Sequence, residues 1–86
     1  MKLILYSKPG CHLCEGLQEK LEQIDSIPFE LEIRDITTHD EWFQAYQYEV
    51  PVLLLENGSA QPIPRPSPRA SVKQLEQLVQ KYMDEK

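Results

Sequence analysis

Cys11 and Cys14 are the only cysteines in the chain, set two residues apart in Tyr6-Ser7-Lys8-Pro9-Gly10-Cys11-His12-Leu13-Cys14-Glu15-Gly16. A short apolar run precedes this stretch and an amphipathic segment follows it. Cysteine reacts as its thiolate, and the start of a helix offers unpaired N–H groups and roughly half a positive charge to an anion placed there. A cysteine at that point is expected to ionise below the ~8.5 of a free thiol. Cys14 falls within one helical turn of Cys11, near enough to close a disulfide. Such a pair suits reversible dithiol–disulfide exchange, and a C-x-x-C beside a strand-helix-strand pattern is a redox motif.

The rest of the chain bounds that chemistry. Eighty-six residues make one domain, 1–86, with a modest core. A net charge of −5 argues against nucleic acid as a partner, because binding it favours a basic face. No apolar run reaches the ~18 residues of a membrane span. The apolar start, Met1 to Tyr6, is too short for a secretory leader and no small-residue cleavage site follows it. A cytoplasmic protein is expected. In that reducing compartment a lone cysteine pair is catalytic or metal-binding rather than structural.

The positioning elements follow from periodicity. Lys2 to Tyr6 reads as a strand buried on both faces, ended by Ser7, Pro9 and Gly10. Leu13, Leu17, Leu21 and Ile24 recur on one face of a helix that must stop by Ser26-Ile27-Pro28. Phe29 to Ile36 alternates as a half-buried strand, giving a right-handed β-α-β unit with parallel strands. Thr38 and Glu41 have the spacing of a capping box for a short helix through about Gln47, with Trp42, Phe43 and Tyr46 on its apolar face. Trp42, Phe43, Tyr46 and Tyr48 are expected in the core or at its edge, and Tyr6 is expected to pack rather than bind. Val50-Pro51 leads into a third strand, Val52 to Leu55, and Asn57-Gly58 predicts a type I′ hairpin to an antiparallel fourth.

That fourth strand, about Ala60 to Arg65, carries prolines at 62 and 64, continued at 66 and 68. Prolines two apart strip donors from one edge only, as on a protected edge strand; an unpaired connector is the alternative. The last helix has two possible starts, Ser67-Pro68 or the capping box Ser71/Gln74. Val72, Leu75, Leu78, Val79 and Tyr82 line one side of it.

With the strand leading to Y-S-K-P-G-C-x-x-C, the helix after it, a Val-Pro about forty residues on and a final helix, the chain resembles the glutaredoxin-like branch of the thioredoxin superfamily over nearly its whole length. The resemblance implies an α/β thioredoxin-like fold of the glutaredoxin type: a four-stranded mixed sheet flanked by three helices, in the order β-α-β-α-β-β-α. It implies a thiol-disulfide oxidoreductase with Cys11 as nucleophile and Cys14 as resolving cysteine. Pro51 corresponds to the family's cis-proline beside the cysteines, and the backbone of Val50 would pair with a substrate peptide or glutathione. The sequence departs from the family at His12-Leu13, where typical glutaredoxins have Pro-Tyr and thioredoxins Gly-Pro. It also has Pro62 to Arg69 in place of the Gly-Gly and Cys-Asp-Asp that help hold glutathione.

On this reading Lys8 and His12 add positive charge beside Cys11, or are ordinary solvated residues. Arg65 and Arg69 hold a carboxylate, or simply border prolines on the surface. Substrates are protein disulfides or glutathione mixed disulfides, with glutathione as co-substrate, no bound cofactor and a thiol or reductase as electron donor. The protein is expected to act as a monomer. The competing reading is a non-catalytic binding module for a protein partner, or for metal held through the C-x-x-C pair. No metal site is assigned, since Cys11, His12 and Cys14 lack a fourth ligand for tetrahedral zinc.

Overall fold

The central strand β1 (Lys2–Ser7) is apolar in both directions because it has a packed layer on each side. In the computed structural model, which describes residues 1–84, Leu3 and Leu5 join one cluster and Ile4 and Tyr6 the other. Residues 85 and 86, the tail of the single domain read from the sequence, lie outside the described residues. β1 pairs in parallel with β2 (Glu30–Asp35) and antiparallel with β3 (Val52–Glu56), which pairs antiparallel with β4 (Ala60–Ile63). The sheet order is therefore β2-β1-β3-β4, mixed as expected.

Among the described residues three α-helices complete the fold: α1 (His12–Glu22), α2 (Asp40–Tyr46) and α3 (Val72–Asp84). Leu17, Leu21, Leu75 and Val79 bring α1 and α3 onto the face of Leu3, Leu5, Leu53 and Leu55. Trp42, Phe43 and Tyr46 bring α2 onto the opposite face, beside Ile4, Tyr6 and Ile36. Ile24 and Ile27, beyond the end of α1 at Glu22, still reach the first cluster. The chain tightens at the end of α1, the N–H groups of Gln23 and Ile24 donating to Lys20 and Leu21 carbonyls three residues back.

Several local expectations change. Leu13 is 48% exposed, although it shares the helical period of Leu17 and Leu21. It sits in the first turn of α1, where the next apolar neighbour is a surface cleft. Thr38 is not the cap of α2: its hydroxyl donates to the Asp35 carbonyl at 2.7 Å within a short 3-10 turn, Ile36–Thr38, and His39 takes the N-cap position. Asp35 caps that turn instead, accepting from Thr37 N at 2.9 Å. Asn57-Gly58 does not form a type I′ turn, which would need φ > 0 at two residues. Glu56 pairs with Ala60, leaving a three-residue connection in which Gly58 alone has positive φ. Tyr48 belongs to neither core nor edge, being 90% exposed.

β4 resolves the proline question in two parts. Pairing persists across Pro62, opposite Leu54, and ends at Ile63 opposite Leu53. The absent Pro62 donor is tolerable because β4 is an edge of the sheet. Residues 64–71 then run as a connector, so the strand stops two residues short of Arg65. The capping box wins the start of α3: Ser71 N donates to Gln74 Oε1 at 2.9 Å and Gln74 N to Ser71 Oγ at 3.1 Å. Ser67-Pro68 forms a separate turn, with Ala70 N donating to Ser67 O.

Candidate active site

The cysteine loop follows β1 directly, so a buried strand fixes where it starts. Gly10 turns the chain with φ of 79°, a region that an L side chain rarely enters. Cys11 then stands at the N-cap of α1 in extended conformation, and its Sγ accepts the N–H of Cys14 at 3.2 Å. This is the place of a Ser or Asp cap, occupied by sulfur. A negative charge on Cys11 Sγ would meet that N–H and the positive end of α1.

Cys11 and Cys14 are joined as a disulfide with their Cα atoms 5.3 Å apart. Their environments differ. Cys14 is 2% exposed and lies against Ile4, Tyr6, Ile36 and Val50, while Cys11 is half-buried and open to solvent on one side. Val50-Pro51 is a cis peptide bond, as the resemblance implied. Val50 packs in the same cluster as both cysteines.

The remaining expected site residues divide into two groups. His12, Pro51 and Arg65 line one cleft of about 130 Å³ together with Leu13, Lys20 and Pro66. Lys8 and Arg69 do not line it. The side chain of His12 is 95% exposed and stands 3.7 Å from Glu15, a contact that water and salt screen heavily. Lys8 Nζ donates to the Gln47 carbonyl at 3.3 Å, and an Arg65 guanidinium nitrogen donates to the Glu49 carbonyl. Arg69 is exposed, its backbone N–H donating to Ser67 Oγ. Among the described residues no group of three or more His, Cys, Asp or Glu side chains gathers into a metal site, and no helix is long and apolar enough to cross a membrane.

Leu13 and Lys20 are cleft residues that the sequence does not mark as site residues. Leu13 was assigned to the core by its period, yet its place between the cysteines was a signal for exposure. Lys20 gave no signal at all, being one basic residue on a polar helix face. Tyr6 is where it was expected: 5% exposed, its ring 4.5 Å from that of Tyr46, with its hydroxyl accepting from Arg34 at 2.9 Å.

Comparison with known proteins now identifies the class. Thioredoxin 1 from the thermophilic eubacterium Thermosipho africanus TCF52B superposes with a TM-score of 0.68 at 17% identity, over 98% of this chain and 96% of that one. A malarial protein superposes with a TM-score of 0.66 at 14% identity, over 95% and 96%. The fold is thus that of the thioredoxins. A search of curated proteins by sequence found no match. The family model for the glutaredoxin-like domain (DUF836) matches residues 2–80, and the chain belongs to that family.

Proposed function

We propose that the protein is a thiol-disulfide oxidoreductase in which Cys11 attacks and Cys14 resolves. The observation that carries this reading is the asymmetry of the pair: Cys11 is half-buried at a helix N-cap with an N–H aimed at its sulfur, and Cys14 is buried behind it. The reduced form begins the cycle. Cys11 thiolate attacks one sulfur of a substrate disulfide, forming a new S–S bond as the old one breaks, and the displaced thiolate takes a proton from water. Cys14, as its thiolate, then attacks Cys11 Sγ. The mixed disulfide breaks, the second substrate thiol leaves, and the Cys11–Cys14 disulfide remains. Two electrons have passed from the protein to the substrate. A thiol or reductase returns them.

Protein disulfides and glutathione mixed disulfides are the substrates we infer, exchanged reversibly in a reducing cytoplasm by a monomer with no bound cofactor. Val50, packed beside both cysteines, supports a substrate backbone lying along the turn before β3. The apolar cleft next to His12 and Leu13 supports an extended substrate segment on the other side.

The test is trapping. Cys14→Ser should accumulate a mixed disulfide on Cys11 when the reduced protein meets a glutathionylated peptide, read as a mass increase that dithiothreitol removes. Cys11→Ser should give none. Equal adducts on both variants, or an adduct on Cys11→Ser alone, would overturn the assignment.

A further inference from the structure

The turn that leads into Pro51 and the proline-rich connector beside the cleft make few backbone bonds of their own. The turn 47–50 uses the N–H groups of Glu49 and Val50 on the Tyr46 carbonyl. The connector 64–71 has prolines at 64, 66 and 68, which have no N–H to donate. Its N–H groups at Arg69 and Ala70 bond Ser67 within the connector, while carbonyls at Pro68 and Ala70 accept from a donor elsewhere.

Three cations supply such donors, each from a different segment. Lys8, in the loop leading to Cys11, donates to Gln47 O at 3.3 Å. Arg65, at the start of the connector, donates to Glu49 O in the same turn. Lys20, on the helix that begins with the cysteines, donates to Pro68 O at 2.8 Å and Ala70 O at 2.6 Å. The cysteine loop is thereby tied to the turn, the turn to the connector, and the connector back to α1. The circuit is closed, and two of its cations, Lys20 and Arg65, line the cleft together with His12, Leu13, Pro51 and Pro66.

The choice of acceptor is informative. The chain has 14 Asp and Glu residues against 9 Lys and Arg, so carboxylates abound. Yet among the described residues the ion pairs involve Lys2, His12 and Arg34, and none involves Lys8, Lys20 or Arg65. These cations are directed to main-chain oxygens, where a charged donor makes a stronger bond than a neutral one.

We propose that Lys8, Lys20 and Arg65 act as positioning residues that hold the turn of Val50 and the proline-rich connector at a fixed distance from Cys11, and so set how well a substrate backbone seats. The proposal rests on the oxidoreductase reading for its catalytic consequence, but not for its structural one. It moves Lys8 from a charge beside Cys11, and Arg65 from a carboxylate contact, to the frame around the substrate, and adds Lys20.

The experiment uses the full chain with Lys8→Met, Lys20→Met and Arg65→Met, each beside its conservative partner Lys8→Arg, Lys20→Arg and Arg65→Lys. Amide hydrogen exchange at Glu49, Val50 and Ala70 needs no activity: each methionine variant should speed its own segment about tenfold, with β1 amides unchanged. Turnover of a glutathione–cysteine mixed disulfide should show KM raised about tenfold with kcat within about twofold, restored by the conservative variant. The pH profile of Cys11 alkylation by iodoacetamide should not move. Unchanged exchange in all three methionine variants would overturn the frame. An alkylation profile shifted to higher pH would overturn it for that residue, making it a charge beside Cys11. A wild-type protein that reduces no disulfide would sink the oxidoreductase reading, while the exchange data would still decide the frame.

Discussion

The two faces of the sheet are built from different materials. Under α1 and α3 the core is aliphatic and closed, with Leu3, Leu5, Leu21, Leu75 and Val79 all at 1% exposure or less. Under α2 it is aromatic and thinner: Tyr6 meets Trp42 edge-on at 5.6 Å and Tyr46 at 4.5 Å, and no residue of α2 is itself buried. Cys14 belongs to this second face although its helix serves the first. The first turn of α1 places Cys14 in one cluster while Leu17 and Leu21, further along the helix, enter the other. The aliphatic face holds the fold, and the aromatic face holds the sulfurs. Stability and reactivity should therefore respond to different substitutions.

Leu21→Ala is the strongest way to break that separation. Leu21 is 1% exposed in the middle of the aliphatic cluster. Removing its side chain should cost about 2–5 kcal/mol, a large share of what a domain of this size has. Urea denaturation of the oxidised protein measures it. Below the unfolding transition, the pH profile of Cys11 alkylation in the reduced variant should match the wild type. A shifted profile would mean that the faces are coupled through α1.

How much of this was legible beforehand differs between the faces too. The aliphatic face announces itself: a strand apolar in consecutive residues and two helices with 3.6-residue stripes, although the sequence leaves α3 two possible starts, of which the structure takes the Ser71/Gln74 box. The edge character of β4 could also be read, because proline's missing donor has a direct geometric consequence. The aromatic face and the cleft were harder. Leu13 has the right period but is exposed at the cleft, and periodicity does not tell a position over a strand from one over a groove. Thr38 has the right spacing for a cap, yet its hydroxyl found the Asp35 carbonyl first. Lys8, Lys20 and Arg65 were least legible of all in their partners. Backbone carbonyls are present at every residue, so an acceptor of this kind leaves no mark in sequence.

Tyr6→Phe sharpens the comparison with a smaller effect. The Tyr6 ring is packed in the aromatic face, and its hydroxyl accepts from Arg34 at 2.9 Å. The guanidinium also lies over Trp42, 5.3 Å from the ring centroid, and bonds Glu32. Phenylalanine keeps the packing and loses one partly buried hydrogen bond, so about 1 kcal/mol is expected in urea denaturation. Turnover should be unchanged, because Tyr6 serves as packing rather than as a substrate contact. A turnover loss without a stability loss would place the Tyr6 hydroxyl in the site.

The smallest effect is the pH dependence of the β2 edge. Hydrogen bonds from Arg34 first, and Lys2 second, hold the Glu32 carboxyl below its ordinary 4.5. Hydrogen bonds from the Thr37 hydroxyl and backbone do the same for Asp35 below 3.8. A carboxyl depressed in the folded state stabilises above its unfolded value and loses that contribution as pH falls through the folded one. Stability should thus be level at neutral pH and decline below about 4.5, where unfolded chains begin to bind the extra protons. Both groups are open to water, so the loss should be modest. Glu32→Gln removes one of the two titrations, and its urea midpoint should fall less than the wild type's between pH 6 and pH 3. If the two fall equally, the Lys2–Glu32–Arg34 contacts contribute nothing to stability in solution, and the free edge of β2 depends on the packing beneath it alone.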